Sequence, residues 1–302
     1  MSDINFELYK VFYYVATTLS FSEASKRLYI SQSAVSQSIK MLEKRLNQQL
    51  FVRSTKKVSL TPEGEILLHH IEPAVNLILR GENQLLEVNS LESGQLRIGA
   101  SDTLCRYFLV PYLNKFHKLY PHVHLKITNR SSQACGALLS QGTVELVITN
   151  YPNPPLFGLA SLTTLRPFKD VFLANRQFFP CPTEPISLKD LAQYPILMLD
   201  RKSVSGESLM HLFRQHQVEL MPEIELNSND LLVDLARIGL GVAYIPDYCV
   251  PKNDPDLYCI PVQEEMPERK IVTAYNENTP LSAAAKRFLD LLKEDVSVPE
   301  HR

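Results

Sequence analysis

Two short amphipathic helices joined by a tight turn are predicted between Ser20 and Leu46. Ser20 can cap the first helix, and Glu23 lies three residues later, the spacing of a capping box. Ser31 can cap the second, whose apolar residues recur at helical spacing: Val35, Ile39, Leu42 and Leu46. The opposite face keeps hydrogen-bonding side chains: Gln32, Ser33, Ser36, Gln37 and Lys40. A helix with one face for packing and another for contacting base edges is typical of a helix-turn-helix that enters a DNA major groove.

The charge of the chain differs between its N-terminal part and the remainder. Residues 1–60 contain nine Lys or Arg against four Asp or Glu, whereas all 302 residues together have a net charge of −2. A cationic head on an acidic body favours one surface for phosphate and a different role for the rest. Scattered Lys on a solvated helical bundle would explain the charge alone, but not the charge together with the helix-turn-helix spacing.

The residues after the second helix predict a basic hairpin and then a new helix. Two short strands are expected around Ser54 to Lys57, and Thr61 can cap a helix that starts at Pro62. With this hairpin, the segment resembles the winged helix-turn-helix of LysR-type transcriptional regulators. The resemblance rests on Ser31-Gln32, Ala34-Val35-Ser36, Leu42-Glu43, Leu50-Phe51, Arg53 and Leu60-Thr61-Pro62-Glu63-Gly64.

The resemblance implies a double-stranded DNA operator as partner and a role for each basic or polar position. Residues expected at base edges are Gln32, Ser33, Ser36 and Gln37, since glutamine can form two hydrogen bonds with adenine. Gln37 stands where relatives often carry Arg. Arg53 on the wing is expected in the minor groove, where narrow A-tracts attract guanidinium. Phosphate contacts, which set register without specifying sequence, are expected from Lys40, Lys56, Lys57 and Thr61.

A long linker helix is predicted from Thr61 to about Ser90. Apolar residues recur along it at three- and four-residue steps and form a seam: Leu68, Ile71, Val75, Ile78 and Leu85. Glu82 occupies one core position of this seam. Pro73 lies inside this helix and predicts a kink or a local break. The seam can pack on its own domain or pair with a second copy. The resemblance favours pairing, which implies a homodimer or homotetramer through this helix and the C-terminal domains.

From Gln95 onward, strands alternate with helices, which predicts an α/β fold with parallel sheets. Strands are predicted at 95–100, 124–128, 145–149, 171–174, 196–199, 223–226, 242–245 and 270–275. Three motifs resemble, in this order, the effector-binding domain of the same family: Leu96-Arg97-Ile98-Gly99, Gly239-Leu240-Gly241 and Leu281-Ser282-Ala283-Ala284. The resemblance implies two lobes about a cleft, as in type II periplasmic binding proteins.

The expected organisation is therefore a winged helix-turn-helix domain at 1–61, a linker and dimerisation helix at 62–92, and an effector-binding domain at 93–302. Two chain crossings are predicted, near 163–170 and 261–270. They divide the last domain into lobe I, about 93–163 and 269–302, and lobe II, about 164–268.

Ligands of such open sheets bind beyond the carboxyl ends of strands, where helices begin. Small polar residues at three of these places touch the effector in the family, which here implies Ser101, Asp102, Thr103, Ser131, Ser132, Ser203 and Val204. Each Ser or Thr can equally be an ordinary helix cap. Because Asp102 would repel an organic anion, we hypothesise a small-molecule effector that is neutral or carries an amino group.

Other functional classes lack their sequence signatures. No HExxH, Cys/His metal spacing, GxSxG or glycine-rich phosphate loop occurs, so neither an enzyme nor a metal or cofactor is expected. No run of eighteen apolar residues and no signal-like N-terminus occurs, which favours a cytoplasmic protein without a membrane partner over an exported solute-binding protein. RNA polymerase is considered as a further partner of such a regulator.

Cysteine chemistry is the alternative mode of sensing. Five cysteines without a CxxC pair favour reduced thiols. Peroxide-sensing regulators of this family use a cysteine pair in the second lobe, where Cys249 and Cys259 lie. Both stand in apolar surroundings with few cations to activate a thiol, which favours buried structural cysteines over a redox sensor.

Overall fold

The computed structural model describes residues 4–53, 58–87, 94–158 and 161–296. The chain forms two compact units, Met1–Val88 with Gln141–Thr143 and Asn89–Ser140 with Val144–Arg302. One apolar cluster lies in the helix-turn-helix region, and others lie among the strands and helices of the second unit. Each unit therefore has a core of its own.

The N-terminal unit is a winged helix-turn-helix followed by a long helix. Its elements are α1 (Phe6–Thr18), α2 (Phe21–Leu28), α3 (Gln32–Leu46), β1 (Phe51–Arg53), β2 (Val58–Leu60) and α4 (Pro62–Glu87). The two predicted helices are confirmed as α2 and α3; the hydroxyls of Ser20 and Ser31 cap them by accepting the amides of Glu23 and Ala34, each at 3.2 Å. Sequence patterns did not reveal α1, because its aromatic and β-branched residues are weak helix formers. It nonetheless supplies the fully buried Phe12 to the core.

Gly64, in the first turn of α4, allows a close approach between this helix and the chain before β1. A Cβ atom at Gly64 would lie 2.2 Å from the backbone oxygen of Leu50. Gly64→Ala is therefore expected to lower the free energy of unfolding by about 1–3 kcal/mol through overpacking. Gly81→Ala, in the same helix with nothing within 4 Å, is the matched control. It should stabilise by about 0.5–1 kcal/mol. Urea unfolding of both variants checks this, and equal stabilities would contradict the close approach.

The helix α4 continues through Pro73. The predicted local break at this proline is thus wrong. Proline lacks the amide that would donate a hydrogen bond to the carbonyl of His69. Because His69 is exposed, water can donate to that carbonyl instead. Leu68 and Ile71 pack on the core of the unit. Apolar residues further along the helix are exposed: Leu77, Ile78, Leu79 and Leu85.

The second unit is an α/β domain. Its strands are β3 (Gly94–Ala100), β4 (Val123–Asn129), β5 (Leu146–Tyr151), β6 (Ser161–Asn175), β7 (Ile196–Leu199), β8 (Ile224–Leu226), β9 (Val242–Pro246), β10 (Leu257–Ile260) and β11 (Glu268–Tyr275). Its helices are α5 (Asp102–Leu104), α6 (Val110–Leu119), α7 (Ser132–Ser140), α8 (Leu188–Leu191), α9 (Val204–Gln215), α10 (Asn229–Arg237) and α11 (Ala283–Val296). A π-helical turn, Cys105–Leu109, joins α5 to α6.

The strands follow the order β4-β3-β5-β11-β6-β9-β7-β8, and β10 pairs with β6. β3 pairs in parallel with β4 and β5, and β7 pairs in parallel with β8 and β9. β6, β10 and β11 pair antiparallel, so the expectation of parallel sheets is wrong for these three strands. All the predicted strands are present, but β10 and the first part of β6 were missed.

The long strand β6 carries the chain from one half of this domain to the other. Its residues 161–169 pair with β11, and residues 170–175 pair with β9 or β10. The predicted first crossing thus lies within a strand. On either side, separate cores form around Phe116 and Phe288 in one half and Phe172 and Phe213 in the other. The parallel strands of both halves end where the helices α5, α7, α9 and α10 begin.

Within the described ranges, none of the helices combines the length and apolar character needed to cross a bilayer. Nor, in the same part of the chain, do three or more His, Cys, Asp or Glu side chains form a group suited to a metal ion.

Candidate nucleic-acid interface and ligand cleft

The helix α3 has one buried and one outward face. Val35, Ile39 and Leu42 are fully buried in the core. The predicted DNA-contacting residues of this helix lie on its other side, where Ser36 is half-buried and the rest are exposed: Gln32, Ser33, Gln37 and Lys40. Their spacing places them along one face of a helix, so hydrogen-bonding groups can meet a groove together.

Glu43 holds α3 against the wing. Its Oε1 atom accepts hydrogen bonds from the amides of Leu50 (2.9 Å) and Phe51 (3.3 Å). Hydrogen bonds to an ionised acceptor are stronger than neutral ones. This carboxylate therefore fixes the orientation of α3 relative to β1, which a base-reading helix requires. Sequence analysis noted Glu43 only as part of a motif.

The remaining predicted DNA contacts lie at the wing. Arg53 ends β1, while its side chain and the residues Lys56 and Lys57 lie outside the described part of the chain. Thr61 is buried, and its hydroxyl donates to the carbonyl of Gln49 at 2.7 Å and caps α4. That hydroxyl is therefore used inside the domain, and a phosphate contact by Thr61 stays a prediction.

A cleft of about 470 Å³ lies between the two halves of the second unit. All seven residues predicted to contact an effector line it: Ser101, Asp102, Thr103, Ser131, Ser132, Ser203 and Val204. Such a volume is typical of small-molecule sites. The position at strand–helix junctions follows from the topology, because parallel strands end at one edge of their sheet.

The serines of the cleft also cap helices. Ser101 Oγ accepts from the amide of Leu104, and Ser131 Oγ from that of Ala134, both at 3.3 Å. Ser203 Oγ caps α9 by accepting the amide of Gly206 at 2.9 Å. The capping interpretation therefore holds for these three, while their contact with a ligand stays a prediction.

Sequence analysis missed the other polar residues that line the cleft: Asn129, Arg130, Gln133, Asn150, Asp200, Lys202, Ser205, Asn227 and Asn229. One signal was available. Asn227 and Asn229 flank the junction of β8 and α10, the same kind of junction that nominated the predicted residues. Asn150 has no such signal, because it enters the cleft through the pairing of its strand β5.

Among the hydrogen bonds that join the two halves, two involve the first residues of α10. The amide group of Asn229 donates to Thr103 Oγ1 at 3.0 Å, and the hydroxyl of Tyr107 donates to Asp230 Oδ1 at 2.6 Å. Burial and the bond to Asp230 raise the pKa of Tyr107, so its phenol remains a donor at neutral pH. These bonds favour a closed arrangement of the two halves.

A buried ion pair links β6 to β11 next to the cleft. Arg269 Nη1 lies 2.6 Å from Asp170 Oδ2 and 3.0 Å from Ser205 Oγ. Tyr244 donates to the same carboxylate oxygen at 3.2 Å. Burial by itself lowers the pKa of Arg269, but the neighbouring Asp170 carboxylate raises it by more, so the net pKa is raised. The guanidinium therefore stays charged. Because Ser205 lines the cleft, the ion pair is one side-chain contact from it.

The cysteines of the second half are poorly suited to redox sensing. Cys249 is buried, as expected, but Cys259 lies at the surface, so the expectation of a buried cysteine is wrong there. Desolvation raises the pKa of both thiols, and carboxylates raise it further, foremost Asp230 for Cys249 and Asp247 for Cys259. A raised pKa disfavours the thiolate, which is the reactive form. The redox-sensing alternative is therefore not favoured.

Alkylation rates test this conclusion. At neutral pH, neither Cys249 nor Cys259 is expected to react with iodoacetamide faster than free cysteine, as mass spectrometry can follow. The urea-unfolded protein, in which all five cysteines should react at ordinary rates, is the control. Rapid formation of a Cys249–Cys259 disulfide on addition of hydrogen peroxide would contradict the expectation.

Comparison with known families matches both units. Residues 6–65 match the family described as "Bacterial regulatory helix-turn-helix protein, lysR family". Residues 89–297, more than half of the chain, match the "LysR substrate binding domain".

Individual proteins are similar to this chain over nearly its whole length. A "Probable RuBisCO transcriptional regulator" of Trichormus variabilis is 26% identical, over 99% of this chain and 91% of that protein. A full-length OxyR variant from Pseudomonas aeruginosa superposes with a TM-score of 0.71 at 19% identity, covering 98% and 95% of the two chains. Full-length CbnR complexed with its target DNA gives a TM-score of 0.65 at 18% identity, covering 96% and 99%. At these identities the likeness to the two structures shows the fold.

Proposed function

The chain belongs to the LysR family of DNA-binding transcriptional regulators, and on this premise we propose that it recognises a specific operator through α3 and the wing and responds to a small-molecule effector in the cleft. The family is one of regulators and not of enzymes. We assign the winged domain to residues 1–61, the linker helix to 62–92 and the effector-binding domain to 93–302, with lobe I at about 93–163 and 269–302 and lobe II at about 164–268.

The outward polar face of α3 carries this proposal. Its side chains can form hydrogen bonds, and all but the half-buried Ser36 are exposed: Gln32, Ser33, Ser36, Gln37 and Lys40. Glutamine and serine read base edges, and lysine neutralises phosphate. The cap at Ser31 and the carboxylate of Glu43 hold the helix at both ends. A face that is exposed, polar and rigidly held has the properties that sequence recognition needs.

The test is selection of duplexes from a random pool by the full-length protein, followed by affinity measurement at several salt concentrations. We expect the selected duplex to bind with a Kd of about 10⁻⁸ M or tighter at physiological salt, and scrambled duplexes at least roughly 10³-fold more weakly. The logarithm of affinity should fall linearly with the logarithm of salt concentration, because phosphate contacts release counterions. No enrichment and no salt-sensitive affinity would overturn the proposal.

The effector acts through the relative arrangement of the two lobes. A ligand that contacts both lobes binds some arrangements better than others and shifts the population toward them. Ligand affinity and operator affinity are then coupled reciprocally. Asn229 and Thr103, which bond across the cleft, are positions where a ligand would change that balance.

We propose a homodimer, or a tetramer that also uses the effector-binding domains, in which the exposed apolar part of α4 is covered by a second copy. Leu77 is 46% and Ile78 54% exposed. Replacing both by Glu is expected to shift the protein toward monomer in sedimentation velocity, because charge in an apolar helix seam opposes pairing. Met221→Glu, on an exposed apolar residue outside the helix, is the control and should leave the state unchanged. An unaltered dimer in the double variant would contradict this interface.

A further inference from the structure

Most residues that line the cleft are polar or charged, and their charges balance. Two carboxylates, Asp102 and Asp200, and two cations, Arg130 and Lys202, line it. The other lining residues are mostly Ser and Asn, and among the described residues only Leu199 and Val204 add apolar side chains. Most small-molecule sites are largely apolar. A polar lining with both charges instead fits a small ligand that itself carries both charges.

One atom in this lining lacks the partner that its burial demands. Asn229 is 4% exposed, and its Nδ2 donates to Thr103 Oγ1 at 3.0 Å. Its Oδ1 atom is buried and accepts no hydrogen bond from the part of the chain that the structure describes. A buried acceptor without a donor is unfavourable. Asn229 lines the cleft, so a ligand bound there can supply the missing donor.

Negative charge stands next in the chain to Thr103, the hydrogen-bond partner of Asn229. Asp102 precedes Thr103 in the chain, and its Oδ1 atom accepts from Asn129 Nδ2 at 3.1 Å. A ligand group that only donates hydrogen bonds and is positively charged suits both Asn229 Oδ1 and this carboxylate. An ammonium group, with three donors and no acceptor, has these properties.

A carboxylate group on the ligand suits the part of the cleft at the N-termini of α7 and α9. Ser131 and Ser203 cap α7 and α9, and the first-turn backbone amides of these helices are donors to an anion. Arg130 and Lys202 each stand one residue before a capping serine, so they add positive charge at the same two helix ends.

Resting on the proposed function, we propose that the effector is a zwitterion with the chemistry of an α-amino acid. Its ammonium group donates to Asn229 Oδ1 and pairs with Asp102, and its carboxylate lies at the N-termini of α7 and α9. Asn229 is then a specificity-determining residue: it rejects otherwise similar acids that lack the amine, because they leave its oxygen unpaired.

The test uses the full-length protein and matched probes: the twenty L-amino acids, and for each that binds, the 2-hydroxy and 2-oxo acids of the same side chain. Thermal melting finds the binders, since a ligand that prefers the folded state raises the Tm. Calorimetry then gives affinities. At least one amino acid should bind, and its 2-hydroxy and 2-oxo counterparts at least about tenfold more weakly.

Variants locate the determinant. Asn229→Leu should weaken amino-acid binding by about tenfold to a hundredfold. Asn229→Asp keeps an acceptor and adds charge, so it should retain the preference for the amine, even if the leucine variant folds poorly. Asn278→Leu, at an exposed position in the turn after β11, is the control and should bind like the parent protein.

Two results would overturn the inference: deaminated acids that bind as tightly as the amino acids, or a folded Asn229→Leu protein with unchanged affinity. Absence of binding by all twenty amino acids would also remove it. If the same preparation still binds its selected duplex in a salt-sensitive manner, the DNA-binding proposal stands. Failure of the parent protein to bind any duplex would instead remove the proposed function.

Discussion

Arg269→Met is expected to lower the free energy of unfolding of the second unit by about 3–5 kcal/mol, since it leaves the Asp170 carboxylate buried without its counter-charge. The two side chains are only 3% and 1% exposed. Arg269 also donates to Ser205, and Asp170 also accepts from Tyr244. Methionine approximates the length of arginine, so the loss reflects electrostatics more than a cavity. Urea unfolding of the full-length protein at neutral pH measures it.

Arg201→Met is the matched control for this prediction. Arg201 pairs with Glu225 at 2.9 Å, but their side chains are 53% and 33% exposed. Solvent screens such a pair, so we expect a loss of at most about 1 kcal/mol. Replacing both buried partners, Asp170→Leu with Arg269→Met, should restore much of the stability, because no charge then remains buried. If Arg269→Met lost no more unfolding free energy than Arg201→Met, the large stabilising contribution assigned to the buried ion pair would be wrong.

Gln32→Ala is expected to weaken binding to the selected operator by about 1–3 kcal/mol and to relax the preference at one base pair. Gln32 is the first residue of α3 and is exposed, so the substitution removes a base-edge contact without opening the core. Binding to unrelated duplexes should stay nearly the same, because it depends on phosphate contacts. Fluorescence anisotropy with the operator, with single-base variants of it and with a scrambled duplex gives the three affinities.

Lys40→Ala is the companion variant on the same face. It should weaken operator and scrambled duplex alike and reduce the salt dependence by about one counterion, because its expected contact is a phosphate. Gln32 and Lys40 are both exposed, so neither substitution should change the folding stability enough to affect the comparison of DNA affinities. If both variants lost specific and non-specific affinity in the same ratio, the division of α3 into base-reading and phosphate-binding residues would be wrong.

Prediction from sequence succeeded where the determining interactions are local. The helices α2 and α3 follow from caps at Ser20 and Ser31 and from apolar spacing, all within a few turns of chain. The position of seven residues at the cleft followed from a family resemblance and from strand–helix junctions, which are also local features, while their contact with an effector stays a prediction. The predicted local break at Pro73 was wrong because the exposed carbonyl of His69 can bond to water in place of the missing amide, while a kink there stays a prediction. It failed for α1 because burial outweighs weak propensity.

The sequence by itself determined the helix-turn-helix, its outward polar face and the alternation of strands and helices, because periodicity and capping depend on neighbours a few residues apart. Only the tertiary structure decided that Asp170 meets Arg269, 99 residues later, and that Asn229 reaches Thr103 across the cleft. These contacts depend on the pairing of β6 with β11 and on the closing of two separately built halves. Such long-range contacts form only once distant segments are held together by a common core, so no local pattern encodes them.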